Sequence, residues 1–234
     1  SMFEYLMPLL VMPGFPETLL DATARASVAG QIEYAGRRGL PWGISESGYN
    51  AVDAGGNYQY RAFGVPGLGL KRGLADDTVI APYATALALL VDAEAACENL
   101  QRLEQLGFGS TYGLYEAIDY TPSRLARGQA HAVVQSFMAH HQGMSLLSLV
   151  SVLAGEPMQR RFAADPLFQA AILLLQERVP RVAAPASHRV ALDQIRAAAG
   201  SIDTPARVLR TAATRVPAVQ MLSNGRYHSL LTSA

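Results

Sequence analysis

The sequence predicts an all-α fold, a partial α/α toroid, with a short C-terminal β-hairpin segment. Three observations lead there. Apolar residues at helical spacing, bounded by capping residues, dominate from Thr18 to Gln176. These helices are joined by two long, glycine-rich polar stretches at 36–74 and 107–129, as in a fold where helix ends and the loops after them build a cleft. Finally, 217–232 reads as two short strands about Ser223-Asn224-Gly225, because Asn-Gly favours a type I′ turn. A toroid of six helical hairpins needs more helices than the 234 residues supply, so only part of one is expected.

The opening, YLMPLLVMPGF, is apolar but short, is broken by Pro8 and Pro13, and has no positive leader, so it is not a signal peptide. Such a start, with Ser-Met ahead of it, fits a segment of a longer polypeptide. Thr18 to Ala35 reads as a helix with Leu19, Leu20, Ala22, Ala26, Ile32 and Ala35 on one face and Gly36 at its end. Pro82 to Val91 is a short apolar helix with proline in its first turn. Asp92 caps Ala93 to Leu106, which turns Leu100, Leu103 and Leu106 inward and closes on Gly107. The longest apolar helix is expected from about Ala130 to Leu153, ending at Gly155, and a further one from Pro166 to Gln176 behind the cap Asp165. After Pro180 the composition becomes Pro/Ala-rich. Three domains follow: 1–180 helical, 181–216 a linker with a short helix, and 217–234 the start of a β-rich domain, since one hairpin alone is marginal.

Half of the residues (50%) are hydrophobic, 16% are charged, and the formal net charge is zero. That is enough apolar material for a substantial core. Without a basic stripe to neutralise phosphates, no nucleic-acid partner is expected. No apolar run reaches the ~20 residues needed to cross a bilayer. Cys97 is the only cysteine, which excludes an internal disulfide, and it reads as a small buried hydrophobe.

The chemistry concentrates in three polar clusters. The first, WGISESGYNAVDAGGNYQY at 42–60, sets Trp42, Tyr49, Tyr58 and Tyr60 beside Asn50, Gln59 and the carboxylate of Glu46. Aromatic faces among amides and a carboxylate suit a sugar ring, which is apolar on its faces and hydroxylated at its rim. The second, YGLYEAIDYTP at 112–122, carries Glu116 and Asp119. At i, i+3 the two share a face if the segment is a helical turn, and are separated if it is a strand. Held together, one acid would stay protonated near neutral pH. The plainer reading of Asp119 is a cap on the Thr121-Pro122 turn, which leaves Glu116 as the better partner for Glu46. The third cluster, AHHQG at 139–143, adds His140, His141 and Gln142. Adjacent helical residues point about 100° apart and no HExxH accompanies them, so no metal is expected; one imidazole lines the cleft and the other is structural. GVPGLGLKRGL lacks the strand and the G-K-S/T of a phosphate loop, so no nucleotide cofactor is expected. Its Lys71 and Arg72 can orient a carboxylate or a sugar hydroxyl.

WGISESGYN, NYQYRAFGVPGLGLKRGL, VIAPYATALAL, YGLYEAIDYTPSRL, MAHHQGMSLLSL, RRFAADP and LLLQERVP together resemble the glucoamylase-like region of bacterial cyclic β-1,2-glucan synthases, over roughly residues 3–180. The tail VQMLSNGRYHSLLTSA is similar to the opening of the phosphorylase-like domain that follows in such synthases. The resemblance implies an (α/α)6 toroid whose cleft closes linear β-1,2-glucan into rings by retaining transglycosylation. It also implies neighbouring glycosyltransferase and phosphorylase-like domains in an inner-membrane protein, of which this fragment is a soluble part. Carried to the matching positions, Glu46 is the acid/base and Glu116 the nucleophile, with Asp119 next in line. Tyr49, Asn50, Tyr58, Gln59, Tyr60, Arg72, His140, His141 and Gln142 form sugar subsites, with Trp42 beside them. The upstream half of the ring lies outside the sequence, and exposed helix faces would favour pairing with a second copy. The competing functions are a β-1,2-glucan hydrolase and a non-catalytic module that binds glucan or braces its neighbours.

Overall fold

Side-chain caps start the helices where polar residues precede apolar runs. The computed structural model describes residues 1–69, 72–178, 219–223 and 227–232. A short helix α1 (Met2–Leu6) continues into a 3-10 turn, Met7–Leu10. Helix α2 (Leu19–Gly36) begins where Thr18 Oγ1 accepts the Asp21 N–H. Helix α3 (Pro82–Ala88) has proline at its start, and α4 (Ala93–Gln105) is capped by Asp92 accepting the Ala95 N–H. Helix α5 (Ala139–Ala154) stops at Gly155, whose φ of 68° lies in the left-handed region that favours glycine. Two short helices follow, α6 (Pro157–Ala163) and α7 (Pro166–Ala171), the latter capped by Asp165 and extended by a 3-10 turn to Gln176.

Between the helices lie small antiparallel sheets. Strands β1 (Ser47–Val52) and β2 (Tyr58–Arg61) form a hairpin, with the register broken between Tyr49 and Val52. Strand β3 (Val79–Ile80) belongs to a three-stranded sheet. Strands β4 (Gly109–Ser110) and β5 (Gly113–Leu114) make a second, tight hairpin. Strands β6 (Ala117–Asp119) and β7 (Ala132–Val134) complete the three-stranded sheet, in the order β3-β6-β7.

Two apolar clusters hold this part of the chain together. The first gathers Met2, Leu6, Val28, Trp42, Leu87 and Met144. The second gathers Ile44, Phe63, Ile80, Leu103, Phe108, Ile118 and Val134. Each fully buried side chain of this size contributes about 1.5–3 kcal/mol. Helix α3 is buried along its whole length and packs against α1, α4 and α5. Residues 42–44 step from the first cluster to the second, and that step fixes where Glu46 emerges.

Several expectations are corrected. The fold is mainly helical but not all-α, because strands occupy much of the glycine-rich stretches. Residues 132–134 are strand β7, so α5 begins nine residues later than the apolar run suggests. Helix α2 buries Ala24, Ser27, Val28, Gln31 and Ala35, while Leu19, Leu20, Ala22 and Ala26 are exposed. Its polar Gln31 and Ser27 are drawn inside because they have partners there. In α4 the buried residues are Ala96, Asn99 and Leu103; Leu106 is exposed, and so is Cys97.

By contacts the chain divides into two compact units, 1–180 and 181–234. In the second, β8 (Val219–Ser223) pairs antiparallel with β9 (His228–Thr232), from Val219 opposite Thr232 to Ser223 opposite His228. The linker helix expected within 181–216, the turn residues 224–226 and Lys71 lie outside the described residues.

Candidate active site

The segment leading to Glu46 has no strand partner of full length, and side chains take that place. Gln31 on α2 donates Nε2–H to the Ile44 carbonyl (2.7 Å) and accepts the Ile44 N–H (2.9 Å). Asn99 on α4 does the same for Trp42, donating to its carbonyl at 2.9 Å and accepting its N–H at 3.2 Å. Gly43 has φ 122°, and a Cβ there would meet Thr85 Oγ1 at 2.9 Å and the Ala81 carbonyl oxygen at 3.2 Å, so no larger residue fits. Tyr83 on α3 then donates its hydroxyl to the Glu46 carbonyl at 2.9 Å and contacts Ser45 Oγ at 2.9 Å. The Glu46 backbone is thus held by buried groups while its side chain stays half-buried.

Glu116 arrives from the other direction. It immediately precedes β6, and its own N–H donates to the Ser136 carbonyl. Only 2% exposed, its carboxylate needs partners. Gly48 N–H donates to Oε1 at 3.1 Å, and His141 Nδ1 lies 2.9 Å from Oε1 and 3.0 Å from Oε2. Gly48 suits this approach, since a Cβ would come to 3.3 Å from both Glu116 Cγ and Val134 Cγ1 and press on them.

One phenol links the two acids. Tyr60 Oη donates to Glu46 Oε1 at 3.2 Å and sits 3.3 Å from His141 Nε2. A hydroxyl has one proton to give. When it serves Glu46, His141 Nε2–H must supply the other contact. When Tyr60 serves Nε2 instead, Glu46 must bring the proton of its own contact. Glu46, Tyr60, His141 and Glu116 therefore form one hydrogen-bonded line in which the direction of donation reports who holds the proton. The His141 ring is kept in plane by Tyr83, stacked at 3.7 Å and 9°. Burial, and then the charge of Glu46, raise the Tyr60 phenol far above its ordinary value, and burial does the same for Tyr83. Both remain neutral donors throughout the physiological range. His140, 4.0 Å from the His141 ring, titrates below its ordinary value, first through burial and then through His141, while Glu116 and Glu46 oppose the shift. Glu116, His141, Gln142, Tyr83 and Tyr115 line a cleft of about 420 Å³.

The remaining expected site residues divide. Gln142 lines the cleft and His140 stands exposed beside it. Trp42 does not line it: the ring is 6% exposed within the first core cluster, because both of its backbone groups are pinned to Asn99. Tyr49 and Tyr58 pack on the second cluster, Tyr49 edge-on to Phe63 and under the guanidinium groups of Arg61 and Arg124. Asn50 donates Nδ2–H to the Arg124 carbonyl (2.6 Å), and Gln59 makes only a contact to the Asn57 carbonyl. Arg72 is exposed at a separate recess beside Arg61 and Asp77.

Asp119 and Glu116 do not share a face, because the segment is a strand. Asp119 is fully buried, paired with Arg124 at 2.6 Å, and accepts the N–H groups of Thr121 (2.9 Å) and Asn50 (3.0 Å). Burial works against its ionisation, but the Arg124 and Thr121 hydrogen bonds outweigh it and hold the carboxyl below its ordinary value. The turn-capping reading describes these contacts. Tyr83 and Ser45 are the site residues that sequence reasoning missed; nothing local marks a tyrosine in an apolar helix as a partner of a distant imidazole.

Residues 21–165 match the family model described as "Putative glucoamylase". The chain belongs to that family. All 234 residues align, at 43% identity, with a region of the cyclic beta-(1,2)-glucan synthase NdvB of Rhizobium meliloti (strain 1021). The chain spans 8% of that relative's length. Both are names of carbohydrate-active proteins, in keeping with a cleft that sets the Glu116 carboxylate beside Tyr83, Tyr115 and His141. Among the described residues of this glucoamylase-like chain, no helix is long and apolar enough to cross a membrane.

Proposed function

We propose that this chain acts on linear β-1,2-linked glucan by retaining transglycosylation, closing the chain into a ring, as part of a longer cyclic β-1,2-glucan synthase. The observation that carries the reading is the hydrogen-bonded line from Glu46 through Tyr60 and His141 to Glu116 beside the cleft. Glu46, half-buried and free to trade its proton through Tyr60, serves as acid/base. Glu116 is the nucleophile. Its Oε1 takes both the Gly48 and the closer His141 contact, so Oε2 is the less engaged oxygen and the one assigned to attack.

In the first step Oε2 bonds to the anomeric carbon as the glycosidic bond breaks, and Glu46 gives its proton to the departing oxygen. In the second, a 2-hydroxyl from the far end of the same glucan replaces Glu116 while Glu46 takes that hydroxyl's proton. Two inversions preserve the β-configuration, and such a mechanism works with carboxyls ~5–5.5 Å apart. Asp119 is assigned a structural part.

Helices α2 to α5 form part of an α/α toroid in this reading. The exposed α5 leucines Leu146 and Leu153 (63% and 82%) face the helices that complete it. The β8–β9 hairpin opens a phosphorylase-like domain, and a glycosyltransferase domain at the bacterial inner membrane supplies the glucan.

Incubation with linear β-1,2-glucan tests this. Cyclic product without new reducing ends is expected, and Glu46→Gln or Glu116→Gln should each lower the rate by roughly 10²–10⁴-fold. New reducing ends in place of rings would make the chain a hydrolase. Turnover unchanged in either variant would remove that residue from the chemistry.

A further inference from the structure

The hairpin β4–β5 carries a feature that the carboxylate line does not use. Gly109, Ser110, Gly113, Leu114 and Tyr115 of this region wall the cleft, yet Tyr112 at the tip does not line it and is 82% exposed. It is not a loose side chain on a loose loop. Ser110 Oγ donates to the Gly113 carbonyl (3.0 Å) and accepts the Tyr112 N–H (3.1 Å), and Gly113 adopts φ 102°, so the tip is internally braced.

Phe137 stands between Tyr112 and the cleft. Its ring lies 6.1 Å from Tyr112, nearly perpendicular at 80°, and 5.5 Å from Tyr115, tilted by 31°. Phe137 is itself 39% exposed, and its neighbour Ser136 accepts the backbone N–H of Glu116. Three aromatic rings thus run outward in series from the cleft wall at Tyr115 to solvent. A single exposed aromatic residue needs no explanation. A braced series that begins in the cleft wall has one.

We propose that Tyr112 and Phe137 form an outlying stacking subsite for a glucan chain, receiving sugar units that extend beyond the cleft. The inference rests on the glucan-acting reading above and adds where the polymer leaves the cleft. The apolar face of a pyranose matches an aromatic face, and rigid rings bind at little conformational cost. The occupant is the polysaccharide rather than a protein, because the rings continue the lining of the carboxylate cleft.

Calorimetric titration of the chain with short and long linear β-1,2-glucans tests the subsite. The wild type should bind the long glucan more tightly than the short one. Tyr112→Ala should weaken long-chain binding roughly tenfold and leave the short chain unchanged, and Tyr112→Phe, which keeps the ring, should retain the long-chain advantage. Tyr112 is so exposed that its loss leaves the fold intact, which a far-ultraviolet spectrum verifies. If Tyr112→Ala binds both glucans as the wild type does, the subsite is overturned while the glucan-acting reading stands. The subsite is overturned equally if the substitution alters only self-association. A wild type that binds neither glucan overturns the glucan-acting reading and the subsite with it.

Discussion

Glu116 and Asp119 sit at the two ends of one short strand, and they live in opposite surroundings. Asp119 is locked: a guanidinium and two backbone N–H groups engage its oxygens, and Asp77 in turn pairs with Arg124. Glu116 is equally buried, but its side-chain partner is an imidazole, which reaches a half-buried acid through one phenol. A guanidinium stays protonated whatever happens nearby, whereas an imidazole can change state. In the proposed mechanism one end of β6 therefore stays the same while the other exchanges protons.

The contrast breaks most visibly in stability. Asp119→Ala should cost about 3–5 kcal/mol in denaturant unfolding, because Arg124 keeps only Asp77 of its two carboxylates and the Thr121 and Asn50 N–H groups lose their acceptor. Glu116→Gln should cost about 1 kcal/mol or less, since one amide oxygen can still accept the Gly48 N–H and face His141 as Oε1 does. Equal losses at the two positions would erase the distinction.

Next in size is Tyr60→Phe. Removing one hydrogen bond to a charged group is worth about 1.5–3 kcal/mol, so glucan turnover should fall by one to two orders of magnitude. Stability should barely change, because Tyr60 is 40% exposed. A wild-type rate in this variant would show that the acids work without the phenol.

Gly48→Ala sharpens the comparison from the side of β1. The added methyl must push Glu116 or Val134 aside, at a cost of about 1 kcal/mol, and the activity loss should exceed what that destabilisation explains. The smallest effect appears in acid. Asp119 has a lower pKa folded than unfolded, so its contribution is complete above the ordinary value of 3.8 and is lost as pH falls through the folded value. The wild type should therefore lose stability more steeply than Asp119→Asn below about pH 4.

What the sequence shows and what it hides divides by range. Thr18, Asp92, Asp165 and Gly155 were legible as helix ends because their partners lie within a few residues. Glu46, Glu116 and His141 were legible by type, as ionisable groups in polar clusters. Trp42 was misplaced because its burial depends on distant partners, the first apolar cluster around its side chain and Asn99, 57 residues away, on its backbone. Residues 132–134 read as helix because an apolar run of three carries no period to separate strand from helix. The same brevity hid that Glu116 and Asp119 flank a strand.

The reciprocal amide clamp of Gln31 on Ile44 has a dynamic corollary. Moving the backbone beneath Glu46 means peeling its supporting segment off α2, and that opening frees the Ile44 amide. Solvent exchange of that single proton is consequently a built-in clock for how often the segment under Glu46 opens.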